Sequence, residues 1–134
     1  MSPALAILSS SRPISWVNTA FPFAVAYLLI TREFDLNFWV GTLFFLIPYN
    51  LLMYGINDVF DYESDLGNPR KGGVEGALLP PNLHRPTIIT SVTLSIPFLF
   101  YLFFVGDLID DLILAVTVFT VVAYSLKGLR FKEV

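Results

Sequence analysis

Residues 38–56 read FWVGTLFFLIPYNLLMYGI, and the nine that follow, 57–65, read NDVFDYESD. The first stretch carries no charge and is close to the ~20 apolar residues that cross a bilayer as a helix. The second holds Asp58, Asp61, Glu63 and Asp65. An acid at the centre of a membrane helix costs roughly 2.5–3.5 kcal/mol even on a lenient insertion scale. Acids at the end of a span are therefore tolerated where they meet water, a cation or both. Asp58, Asp61 and Asp65 are three and then four residues apart, a spacing that stacks side chains along one helical face. Asn57 lies four before Asp61 and Asn50 seven before Asn57, so a polar stripe is expected to run from the acids back into the membrane.

Outward from this stretch the chain stays apolar. It is 55% hydrophobic and 14% charged, whereas a soluble domain carries about 25% charged residues. Apolar runs at 14–30, 38–56, 87–105 and 108–126 predict four spans, hence an all-α polytopic membrane helical bundle. Asn18 and Pro22 interrupt the first run and Pro97 the third; membrane helices accept such residues when neighbouring helices resatisfy the backbone. Asp107, Asp110 and Asp111 crowd the start of the fourth.

The cations set an orientation. Arg12 precedes the first span; Arg70, Lys71 and Arg85 lie between the second and third; Lys127, Arg130 and Lys132 follow the fourth; only Arg32 lies on the other side. The positive-inside rule then predicts a multi-pass protein of the cell membrane, with both ends of this segment and its acidic motif in the cytoplasm. The net charge of −3 is small and gives no case for a nucleic-acid partner. With no cysteine, disulfides and thiolate metal sites are excluded. No basic region precedes Arg12 and no small-residue cleavage site follows the first span, so that span is read as retained rather than as a signal peptide. The long connection 62–86 is rich in Gly and Pro, and connections of that length are usually functional or disordered.

Clustered carboxylates repel one another unless a cation binds them. Hard oxygen donors with no His or Cys beside them suit Mg²⁺, which takes one or two carboxylates together with substrate phosphates. The expected metal set is Asp58, Asp61 and Asp65, with Asn57 orienting them or touching the substrate, and the expected partner is a phosphate or diphosphate. Arg12, Arg70 and Lys71 are candidates for its remaining charge, although the same cations also serve as topology charges. Phe44, Phe45, Tyr49, Tyr54 and Phe60 are expected to form an aromatic wall behind the acids, but Phe44, Phe45 and Tyr49 cannot all share the acids' face. A diphosphate above an apolar, aromatic groove fits a polyprenyl diphosphate. Ionising its allylic C–O bond makes a carbocation that ring faces stabilise, while the metal neutralises the leaving group.

Asn57-Asp58-x-x-Asp61-x-x-x-Asp65 resembles the first aspartate-rich motif of the UbiA superfamily of intramembrane prenyltransferases. The Arg12-Pro13 pair is similar to that family's N-terminal entry, and Tyr124-Ser125 with Leu129-Arg130-Phe131-Lys132 to the end of its fourth helix. The resemblance implies a Mg²⁺-dependent transfer of a prenyl group to a lipophilic acceptor. The wording Asp65-Leu66-Gly67-Asn68-Pro69-Arg70-Lys71-Gly72-Gly73 looks more like the carotenoid branch, the lycopene elongases, than the quinone or chlorophyll branches. It also implies a nine-helix fold with a second aspartate-rich motif, so residues 1–134 are expected to form the N-terminal part of one such domain and to be inactive alone. Asp107, Asp110 and Asp111 fall on the opposite side of the membrane and cannot supply that second motif.

Other readings remain beside these. The acids could belong to a non-enzymatic cation transporter or channel subunit, in which polar residues should continue across the whole span; here the stripe fades beyond Asn50. Asn18 and Asn50 fit interhelical hydrogen bonds as well as substrate contacts. Tyr124 and the basic residues after it also fit interface anchors. His84 shows no ligand partner in the sequence.

Overall fold

A computed structural model describes residues 1–70 and 78–126. Every regular element among them is helical: α1 (Pro3–Ser10), a 3₁₀ turn (Pro13–Ser15), α2 (Trp16–Thr31), α3 (Leu36–Leu46), α4 (Pro48–Asn50), a π-helical turn (Leu51–Gly55), α5 (Ile56–Phe60), α6 (Tyr62–Asp65), a second 3₁₀ turn (Pro81–Leu83), α7 (His84–Val105) and α8 (Leu108–Ser125). Four stretches are long and apolar enough to cross a membrane, namely Pro3–Thr31, Leu36–Phe60, Pro81–Val105 and Leu108–Ser125. The chain is a multi-pass membrane protein. One cleft gathers the start of α2, the end of α5 and the end of α8, while another gathers the end of α2, the start of α3, the end of α7 and the start of α8. Successive spans therefore run in opposite directions.

The chain marks its own helix ends. Asp35 accepts a hydrogen bond from the Phe38 amide at 2.9 Å and caps α3. Asp107 and Asp110 form a reciprocal capping box that starts α8. Two of the three carboxylates that crowd the fourth span, Asp107 and Asp110, are thus its N-terminal cap, and acids there also suit the positive end of the helix dipole. The first span begins earlier than the apolar run implies, because α1 precedes a break at Arg12. The second runs on to Phe60, so Asn57 and Asp58 lie inside the helix rather than after it.

The second span is not one regular helix. Pro48 has no amide hydrogen and disturbs the turn before it, and Ile47 departs from helical geometry at φ −115°. The π-helical turn follows directly. Asn50 answers the disturbance: its side-chain amide donates to the Leu46 carbonyl at 2.9 Å, the Phe45 carbonyl at 3.2 Å and the Thr19 hydroxyl of α2 at 2.8 Å. Thr19 in turn donates to the Phe45 carbonyl at 2.6 Å. Asn50 therefore makes the interhelical bond, whereas Asn18 is exposed on α2.

Polarity is inverted relative to a soluble bundle. On α7, Thr87, Ser91 and Ser95 are buried, while Ile89, Ile96, Phe100 and Phe104 point outward. Each inward hydroxyl donates to a carbonyl of its own helix at 2.7 Å, and Ser91 also approaches the Leu51 carbonyl in the π turn at 3.3 Å. Small polar residues let membrane helices approach closely. Gly55 completes this seam, since a Cβ there would meet Ser10 Oγ at 3.2 Å and Ser91 Oγ and Thr87 Cγ2 at 3.4 Å. Gly41 does the same between α2 and α3, where a side chain would run into the Phe23 ring.

Candidate functional site

The acidic motif straddles a break. Helix α5 ends at Phe60, Asp61 takes φ −93° and ψ 5°, and α6 resumes at Tyr62. The three aspartates expected on one face are divided between two environments. Asp61 and Asp65 line an open cleft of about 560 Å³ with Arg12, Met53, Tyr54, Asn57, Asn68, Thr120, Val121 and Tyr124. Asp58 is absent from that lining. Its side chain is fully enclosed, and its Oδ1 accepts a charge-paired hydrogen bond from Arg12 Nη2 at 3.4 Å. An enclosed carboxylate is tolerable only with such a partner.

Arg12 is the hinge of this arrangement. It sits between α1 and α2 in the left-handed region, at φ 53° and ψ 75°, a conformation that a non-glycine residue adopts at a cost of order 1–3 kcal/mol. Its amide donates to the Ser9 carbonyl at 3.0 Å, which closes the end of α1, and Pro13 follows. A residue before proline is pushed out of the right-handed helical region. The guanidinium carbon lies 4.3 Å from the centre of the Tyr54 ring, a cation–π contact. Beside it, Trp16 donates to Ser11 Oγ at 2.9 Å.

No group of three or more His, Cys, Asp or Glu side chains among the described residues is gathered so as to hold a metal ion. The cleft instead presents two carboxylates, Asp61 and Asp65, with the amides of Asn57 and Asn68. Of the expected diphosphate ligands, Arg12 lines the cleft, Arg70 is exposed outside it, and Lys71 lies outside the described residues. Of the expected aromatic wall, only Tyr54 reaches the cleft; Phe44 is buried against Phe45 and Phe98, and Phe45 lines the cleft at the other end. The polar stripe stops at Asn57, because the π turn shifts the register and directs Asn50 to Thr19.

Met53, Asn68, Thr120 and Val121 were not foreseen as lining. A ladder of fours read backwards from Asp65 through Asp61 and Asn57 reaches Met53, and Thr120 and Tyr124 are likewise four apart on α8. His84 packs edge-on against Tyr62 at 4.8 Å between ring centres, with Nε2 3.0 Å from the Leu79 carbonyl. It braces the base of α7.

At the opposite end a more apolar cleft of about 450 Å³ lies between α2, α3, α7 and α8, with Tyr27, Asn37 and Asp110 among its lining. Tyr27 donates to Asp35, at 2.7 Å from Oδ2, and Tyr101 to Asn37 Oδ1 at 2.5 Å.

No family model matches the chain, and no solved structure does. Curated proteins do. The chain is 62% identical over 125 residues to the C(50) beta-cyclic carotenoids biosynthesis protein LbtBC of a Dietzia species, covering 93% of this chain and 29% of that protein. It is 61% identical over 127 residues to a lycopene elongase/hydratase of Corynebacterium glutamicum, covering 95% of this chain and 44% of that one. A lycopene elongase/hydratase of Haloferax volcanii is 33% identical over 132 residues, covering 96% and 42%. The chain spans less than half the length of these relatives. Over nearly all of its own length, it is a homologue of proteins named for carotenoid biosynthesis.

Proposed function

We propose that this chain carries the diphosphate-binding part of a Mg²⁺-dependent prenyltransferase that extends a carotenoid such as lycopene. The observation that carries the proposal is one cleft, at one end of a membrane bundle, whose lining combines Asp61 and Asp65 with Arg12. That juxtaposition suits a ligand that is anionic at one end and hydrocarbon at the other. The names of the relatives, lycopene elongase/hydratase above all, supply the acceptor class. The UbiA-like wording of the motif supplies the reaction class.

The residues present fit Mg²⁺. All the donors are oxygens, and two carboxylates with substrate phosphates are what this ion usually takes from a protein site. Asp61 and Asp65 would hold it, with the Asn57 and Asn68 carbonyl oxygens beside them; when bound, it supplies charge neutralisation for the departing diphosphate. Arg12 takes a further share of the diphosphate charge. The Tyr54 and Tyr124 rings lie where the prenyl chain would leave the polar mouth. The allylic C–O bond breaks, the electron pair leaves with diphosphate, and an acceptor double bond attacks the cation. Loss of a proton from the acceptor, or addition of a water that then gives up a proton, restores neutrality. The excess of cations at the acidic end supports a cytoplasmic location for that end.

In detergent or lipid, the full-length protein should bind a prenyl diphosphate only with Mg²⁺ or Mn²⁺ present, and Asp61→Ala should abolish that metal dependence. Equal binding in excess chelator would sink the proposal. A transport reading is not favoured: Asn50 is tied up between helices, so no polar file crosses the second span.

A further inference from the structure

The charged residue of the motif nearest to Arg12 lies outside the cleft. Asn57, Asp61 and Asp65 succeed one another at intervals of four and line the cleft together, whereas Asp58 is displaced by about 100° from Asn57 around the helix axis. That rotation turns it toward the first span. There it is wholly enclosed while Arg12 retains 21% exposure. One end of the guanidinium is therefore anchored in the protein, and the other is free to face the cleft. Arg12 Nε is also buried without a hydrogen-bond partner among the described residues, so the donor fork is only partly used.

Arg12 is held from three directions. Its backbone is fixed in the left-handed region between the end of α1 and Pro13. The Tyr54 ring supports the guanidinium face, and the Asp58 carboxylate fixes one edge. A guanidinium has five donors in a rigid plane, so fixing one edge and one face aims the rest. A long flexible cation at a cleft mouth would otherwise lose considerable side-chain entropy on meeting a ligand. We infer that Asp58 is a positioning residue: it serves Arg12, not the metal, and presets the guanidinium for the phosphate oxygens of the ligand held at Asp61 and Asp65. The inference rests on the diphosphate reading above and assigns Asp58 a role different from that of its neighbours in the motif.

The test is titration of the full-length protein, in lipid nanodiscs, with inorganic pyrophosphate at a series of Mg²⁺ concentrations. Asp58→Asn should weaken pyrophosphate binding roughly tenfold, equivalent to ~1.4 kcal/mol, and leave the Mg²⁺ midpoint unchanged. Arg12→Gln should weaken it similarly, and the double variant should be no worse than either single one, because both act through one guanidinium. Asp61→Asn should instead shift the Mg²⁺ midpoint. Asp58→Glu, which keeps the charge, should recover most of the affinity. Should Asp58→Asn prove unfolded, the double variant, which buries no unpaired charge, and Asp58→Glu still decide the question. A Mg²⁺ midpoint displaced by Asp58→Glu, or effects of Asp58→Asn and Arg12→Gln that add in full, would make Asp58 a metal ligand and overturn the inference. Wild-type protein that binds no pyrophosphate at any Mg²⁺ concentration would remove the diphosphate reading itself, and this inference with it.

Discussion

Asn50 and Asp58 are two polar side chains enclosed in the same membrane span, and each has a partner on the first span. Asn50 reaches Thr19 and two carbonyls of its own helix; Asp58 reaches Arg12. Replacing Asn50 by Leu removes the donor that ties these groups together. Interhelical hydrogen bonds in membranes contribute ~0.6 kcal/mol on average and up to ~1.7, so Asn50→Leu should lower stability by ~1 kcal/mol in a detergent-denaturation titration. Asn18→Leu, on an exposed position, should be neutral; equal losses for the two would refute the assignment. Both asparagines read alike in the sequence, because period alone does not say which face of an apolar helix meets a neighbour. Asp58 and Asp61 read alike for a related reason: the interruption at Asp61 carries no Gly or Pro to announce it.

At the level of elements, the π turn and α7 form a close seam, and Gly55 is where they meet. Gly55→Leu has to displace Ser10, Thr87 and Ser91 together. Overpacking of this kind costs typically 1–3 kcal/mol, and the variant should show a Tm clearly below that of the parent, whereas Gly67→Leu, with no heavy atom within 4 Å of its Cβ position, should not. The cap of α3 responds to acid. The Phe38 amide and then the Tyr27 hydroxyl hold the Asp35 pKa below its ordinary 3.8. Its contribution to stability is complete above 3.8 and is lost as pH falls through the depressed native value. Unfolding followed from neutral pH to below 3.8 should therefore show an acid-side decline that is reduced in Asp35→Asn. The four spans were legible because each is an apolar run bounded by polar residues. The π turn was not: its trigger, Pro48, is visible, but whether a proline yields a kink, a π turn or a break depends on neighbours such as Thr19.

For the whole molecule, the alternation of the spans makes a claim about sides. Single cysteines at Gly67 and Glu33, on a chain with no cysteine of its own, should react with an impermeant thiol reagent from opposite faces of sealed vesicles. Gly67→Cys should react from the cytoplasmic face, as the cation distribution requires. Labelling of both from one face would dismantle the four-span arrangement. The same arrangement bears on biosynthesis. The inward hydroxyls of Thr87, Ser91 and Ser95 are satisfied by carbonyls of their own span, so they cost that span little when it leaves a translocon singly. The second span, released alone, lacks the Thr19 partner of Asn50 and the Arg12 partner of Asp58. The first span, bearing Thr19 and Arg12, is made before it. The order of residues along the chain thus doubles as an order of delivery, in which the cation waits at the membrane for its anion.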